Sequence, residues 1–199
     1  MVSVFVEITP FDLVKYEVDK HTGYLRVDRA QKTSSLPPAI YGFIPQTLAG
    51  GEVATMMPEA RRGDLDPLDI CVLAERPINR AEVLLQARVI GGVPMLDHGE
   101  ADDKIVAVML HDPVYGGFSD IEEVPAVLTD RLVHYFSTYK LTRPDDGGVR
   151  VGDPYRRAHA EAVVSAAIRD YQAAFSGEQD LSPVPPTPAD RPPATPRTV

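Results

Sequence analysis

The feature that most constrains the fold is a succession of short alternating apolar segments, cut apart by glycine and proline, that fills the first 110 residues. Residues 2–8 (VSVFVEI) put Val2, Val4, Val6 and Ile8 on one face of a strand. Residues 14–18 (VKYEV) alternate again, with Val14, Tyr16 and Val18 opposite Lys15 and Glu17. His21-Thr22-Gly23 reads as a turn and residues 24–27 as a returning strand, and Pro37-Pro38 breaks the chain before Tyr41-Gly42-Phe43-Ile44-Pro45. Residues 49–63 carry Gly50, Gly51, Pro58 and Gly63 with little pattern, and a surface loop is expected there. Further strands are expected at 69–73, 83–90 and 104–110. Many short strands with such punctuation predict a small barrel.

Two helices are expected after the strands. The first has Pro125 near its start and apolar residues at Leu128, Leu132, Tyr135, Phe136 and Tyr139. The second is expected to begin at Asp153-Pro154, to bury Val164, Ile168, Tyr171 and Phe175, and to end at Gly177. Residues 1–177 thus read as one domain of mixed, mainly β character, a barrel with helices packed outside. From Leu181 onward seven residues are proline, so 178–199 are expected to form an extended or disordered tail, either inert or a ligand for a proline-recognising domain.

Charge narrows the function. Twenty basic residues against 29 acidic ones leave −9, with no basic stripe and no tryptophan, which disfavours nucleic acid as a partner. No apolar run approaches the roughly 20 residues of a membrane span, and the opening MVSVFVEITP has neither the basic region nor the cleavage site of a signal peptide. Cys71 is the single cysteine, which fits a reducing compartment and reads as a small buried hydrophobe. A cytoplasmic location is expected. An acidic protein that handles an anion must gather a few Lys and Arg locally or recruit cations.

Gly63-Asp64-Leu65-Asp66-Pro67-Leu68-Asp69 places three carboxylates within six residues at the entry to an apolar strand. Carboxylates this close raise one another's pKa unless a cation compensates, and hard oxygen donors suit Mg²⁺. Taken alone, the loop is either a metal site or a solvated turn. A calcium-binding loop is excluded, because Asp69 stands where that turn needs glycine. Asp97-His98-Gly99-Glu100-Ala101-Asp102-Asp103-Lys104 is a second acidic stretch between strands, again a site or a turn. None of the five histidines has metal-ligand spacing. Lys15, Arg29 and the pair Tyr139-Lys140 supply cationic candidates, although a lysine closing a helix is also favoured by the helix dipole.

These pieces together resemble the soluble family I inorganic pyrophosphatases. The likeness is carried in order by Val6-Glu7-Ile8, Lys15-Tyr16-Glu17-Val18-Asp19-Lys20, Thr22-Gly23, Val27-Asp28-Arg29, Tyr41-Gly42-Phe43-Ile44-Pro45, the Asp64–Asp69 loop, Asp97, Asp102, Lys104 and His134-Tyr135-Phe136 with Tyr139-Lys140. The resemblance implies an OB-like five-stranded barrel and Mg²⁺-dependent hydrolysis of diphosphate to two phosphates. It also implies several metal ions per site and a cytoplasmic homohexamer. Asp64, Asp69 and Asp102 would hold a first Mg²⁺, Asp97 and Asp102 one that arrives with substrate, and Glu17 would help with another. Asp66 would be the general base. Lys15, Arg29, Tyr41, Lys104, Tyr139 and Lys140 would grip the phosphoryl groups, and Glu7 would support the water network. The chain departs from the family pattern in its longer 49–63 segment, in its proline-rich tail, and at Pro37, Ile40, Leu65 and His98. Leu65 replaces a frequent glycine and His98 a frequent acid. Two rivals stand beside the enzyme: an OB-type nucleic-acid binder, and a non-catalytic relative whose acidic site senses metal or nucleotide.

Overall fold

The computed structural model describes residues 1–141 and 148–176. In chain order it comprises strands β1 (Val2–Ile8), β2 (Val14–Val18), β3 (Leu25–Ala30) and β4 (Ile40–Phe43), then helix α1 (Gly51–Thr55). There follow β5 (Arg62–Gly63), β6 (Asp69–Leu73), β7 (Leu84–Val93), β8 (Met95–Asp97), β9 (Glu100–Ala101) and β10 (Lys104–Met109). A 3₁₀ turn at Ile121–Glu123, α2 (Ala126–Thr138), β11 (Val149–Val151), β12 (Tyr155–Arg156) and α3 (Arg157–Phe175) complete the order.

Five strands close on themselves in the order β1-β4-β6-β10-β7, because β1 also pairs with β7. All pairs are antiparallel except β6 with β10. That parallel pair sets Lys104 opposite Asp69 at the start of both strands. A smaller sheet, β11-β8-β9-β5, and the β2–β3 hairpin stand at the barrel's margin. The expected mixed, mainly β barrel with outer helices is the observed fold.

Why the central strands are apolar throughout follows from the packing. Ile70, Val72, Ile105 and Ala107 face the core shared with α1 and α3, whereas Cys71, Leu73, Val106 and Val108 face the core shared with α2. A strand buried on both faces has no polar side to alternate. Cys71 is buried, as its composition context suggested, and burial pushes its thiol pKa up.

Three expectations need correction. Residues 49–63 are not a loop throughout: they hold α1, anchored by buried Val53, and β5 beside β9. The last helix begins at Arg157, not Asp153, because Tyr155 and Arg156 first pair with β7 and the Tyr155 hydroxyl donates to buried Asp103 at 2.9 Å. Its buried face is Ala160, Val163, Val164, Ala166 and Ala167, while Ile168 and Phe175 are exposed. Small side chains let this helix lie close against β7, so the large apolar residues mark the wrong face. Gly177 and the proline-rich segment lie outside the described residues.

Candidate active site

One end of the barrel opens into a cleft of about 710 Å³, and every candidate residue lines it. Strand starts, hairpin and helix end each contribute. Asp69 opens β6, Lys104 opens β10, Asp97 ends β8, and Glu7 lies near the end of β1. Lys15 and Arg29 face each other across β2 and β3. Tyr139 and Lys140 follow the last turn of α2.

The centre is Lys104, whose side chain is only 1% exposed and lies between two carboxylates. Its Nζ donates to Asp69 at 2.5 Å and also to Asp102. Burial alone would pull its pKa down, but Asp102 and then Asp69 reverse this and hold the ammonium well above its ordinary value. Tyr41 donates its hydroxyl to the same Asp69. Burial, then the Asp69 charge, keeps that phenol protonated far beyond the usual range.

Around this centre most carboxylates have a lysine of their own. Lys15 donates to Glu17 at 2.8 Å, Lys140 to Asp97, and Lys20 to Asp66. Burial works against Glu17 and Asp97 as anions, yet Lys15 and Lys140 outweigh it and hold both pKa values low. Asp64, like Glu7, forms no salt bridge among the described residues. Burial, then the charge of Asp102, pushes it up to about 8. Glu7 is buried, accepts the Val18 N–H at 3.0 Å, and is pushed up to about 7, chiefly by burial. Through that bond it ties β1 to the hairpin.

The acidic loop has an unusual backbone. Leu65 is held at φ +64°, between Asp64 and Asp66, where glycine would be unstrained. The Asp66 side chain is 59% exposed and reaches into the cleft. His98 and Gly99, at φ +51° and +89°, make the two-residue turn between β8 and β9. His98 Nδ1 lies 2.6 Å from Asp97. The departures at Leu65 and His98 thus adjoin residues that line the cleft, without lining it themselves.

Sequence reasoning gave no site role to three participants. Lys20 touches Asp66, Arg26 donates to Glu17 at 3.4 Å, and Asp28 sits between Lys15, at 3.5 Å, and Arg29. The turn at Gly23 sets Glu17 opposite Arg26, so hairpin register held the signal for that pair. Nothing local announces Lys20, which reaches a residue 46 positions away. Among the described residues no three His, Cys, Asp or Glu groups stand close enough as placed to hold one ion. Lys104 separates Asp69 from Asp102 instead.

A family model described as inorganic pyrophosphatase matches residues 4–172. The chain belongs to this family. An inorganic pyrophosphatase of Chlamydia trachomatis is 45% identical over 177 residues, spanning 84% of this chain and 85% of that one. Among solved structures, the Thermus thermophilus inorganic pyrophosphatase superposes with a TM-score of 0.73 at 31% identity, covering 85% of this chain and 90% of that chain. The Helicobacter pylori inorganic pyrophosphatase gives 0.72 at 31%, covering 85% and 92%. Both pyrophosphatase structures share the barrel that carries the cleft.

Proposed function

We propose that this cleft hydrolyses diphosphate to two phosphates by direct attack of water, with Asp66 as general base. Family membership carries the overall reaction; the roles within it are our assignment. The observation that supports them best is the interleaving of carboxylates and cations in one cleft, with Asp66 the exposed acid of its loop.

The family's reaction calls for a divalent cation, and we assign Mg²⁺. The donor set fits: every carboxylate offers hard oxygen. Asp64, incompletely compensated by the Asp66 N–H and the Lys104 charge and pushed up to about 8, marks where positive charge is short. Asp64, Asp69, Asp97, Asp102 and Glu17 would hold the ions, once Lys104 and Lys140 exchange these carboxylates for substrate phosphoryl oxygens. A bound divalent cation supplies charge neutralisation on the phosphoryl oxygens and acidifies a nearby water.

This chain's own groups then do the following. Lys15, Arg29, Lys104 and Lys140 grip the anion and offset charge moving onto the leaving phosphate. Tyr41 and Tyr139 stay protonated and donate, since burial raises both phenols. Asp66 accepts the proton of the attacking water, and Lys20 holds it until substrate arrives. No nucleophile forms a covalent bond; Cys71 is buried with its thiol pKa raised.

Phosphate release from diphosphate should require Mg²⁺. Asp66→Asn should lower turnover by on the order of 10²–10⁴ while diphosphate still binds. Turnover near that of the parent would remove Asp66 from this role. We further assign a cytoplasmic homohexamer, on the likeness to bacterial members; light scattering at one-sixth or full hexamer mass decides it.

A further inference from the structure

The acidic loop is fastened from behind by a residue that never touches the cleft. Asp170, near the end of α3, accepts three backbone N–H groups at the head of α1: Gly50 at 3.1 Å, Glu52 at 3.0 Å and Val53 at 3.0 Å. First-turn amides have no partner within their own helix. A helix of five residues does not hold its place unaided. Asp170, with buried Val53, therefore sets where α1 begins.

The residue just before that point grips the loop. Ala49 N–H donates to the Asp66 carbonyl at 2.8 Å, and Leu65 N–H donates to the Ala49 carbonyl at 3.0 Å. The packing leaves no slack. A Cβ on Gly50 would collide with the Asp170 carboxylate, and one on Gly63 with the Ala49 carbonyl. The line Asp170, Gly50, Ala49, Leu65 and Asp66 is thus continuous contact from the outer helix to the proposed base.

What this line restrains is a strained residue. A non-glycine side chain is disfavoured in the left-handed region and persists there only where its surroundings impose it. Leu65, at φ +64°, is more than half exposed, so its side chain packs little that could impose anything. The two hydrogen bonds to Ala49 flank it instead, alongside the bond from the Asp66 N–H to Asp64 Oδ1 at 2.9 Å that spans it. Released, Leu65 would relax to negative φ and swing Asp66 out of line.

We infer that Asp170 is a positioning residue for the reaction: by fixing the head of α1 it keeps Leu65 left-handed and Asp66 aimed into the cleft. This rests on the assignment of Asp66 as base. In Asp170→Ala, kcat should fall roughly 10- to 100-fold, the range expected of a misplacement of about 1 Å. KM for diphosphate should change much less, since the gripping lysines are untouched. Asp170→Asn keeps one acceptor oxygen and should recover most of the loss. Amide exchange at Ala49 and Leu65 should speed up in the alanine variant, with the barrel strands still protected. Arg169→Ala removes another polar link between these helices, the 2.6 Å pair with Glu52, and should leave kcat as it was.

A folded Asp170→Ala protein with parental kcat and unchanged exchange at Leu65 overturns the inference. If that variant does not fold, the asparagine variant still decides: a kcat loss in step with faster exchange at Leu65 and Ala49 supports the inference, and low kcat with parental exchange, or parental kcat with faster exchange, refutes it. Asp66→Asn, run alongside, separates the two assignments. Loss there without loss in Asp170→Ala sinks only the positioning role, and no loss there sinks the base itself.

Discussion

Replacing Glu7 by glutamine should change how stability depends on pH, by an amount the structure allows to be worked out. Glu7 is 8% exposed, and its carboxyl is pushed from an ordinary 4.5 to about 7. Burial is the main cause; the Val18 N–H and Lys15 oppose it, and the charges of Asp69 and Glu17 add to it. In the unfolded chain the group ionises near 4.5, so between the two values the native state holds more protons. Stability is therefore full below pH 4.5 and falls as pH rises toward 7. At about 1.4 kcal/mol per pKa unit, the loss is about 3 kcal/mol. Glutamine can still accept the 3.0 Å bond from Val18 but cannot ionise. It also brings an NH₂ donor that, if left unpaired, lowers stability by about 1–3 kcal/mol equally at every pH. The test is thus the difference in slope, not the offset. Urea unfolding at half-unit steps from pH 4.5 to 8, with a chelator present, should show the parent losing about 3 kcal/mol more than Glu7→Gln. Parallel curves would refute the claim that burial holds this carboxyl neutral.

Lys104→Met should destabilise the chelated protein by about 3–5 kcal/mol, because Asp69 and Asp102 are left facing each other without their shared cation. A loss under about 1 kcal/mol in denaturant unfolding would show that these charges are not held as a buried set. Leu65→Gly relieves a left-handed residue at about 1–2 kcal/mol, and the added freedom of the unfolded chain returns about 0.5–1 kcal/mol. Tm should rise by about 1–4 °C, and calorimetry that finds it lowered contradicts the strain. Mg²⁺ affinity should weaken about tenfold per pH unit below about 8, where Asp64 must give up a proton to become a ligand. Titration calorimetry from pH 6 to 9 checks this, and Asp64→Asn should flatten the dependence.

Alternation made the barrel legible, since Val2, Val4, Val6 and Ile8 repeat every second residue and all pack toward the core. The convergence of Asp64, Asp69, Asp97 and Asp102 was legible only through the ordered likeness to a family, because spacing along a chain says nothing of pairing across a sheet. What stayed hidden has physical reasons. Helix α1 is too short to show a period, and α3 buries alanines, whose weak hydrophobic signal is outshone by exposed Ile168 and Phe175. Lys104 reads as a phosphate-gripping cation in sequence. That it first serves as the shared partner of two aspartates depends on the parallel register of β6 and β10.

That register carries a consequence for how the barrel assembles. Side chains on a strand alternate in direction, so a slip of one residue between β6 and β10 would turn Lys104 away from Asp69 and leave its buried ammonium with Asp102 alone. Apolar runs such as Ile70–Leu73 and Ile105–Val108, buried on both faces, specify their alignment by side-chain shape alone. The charged residues at their heads add to that discrimination, so the groups we assign to substrate and metal would also proofread the alignment of the strands behind them.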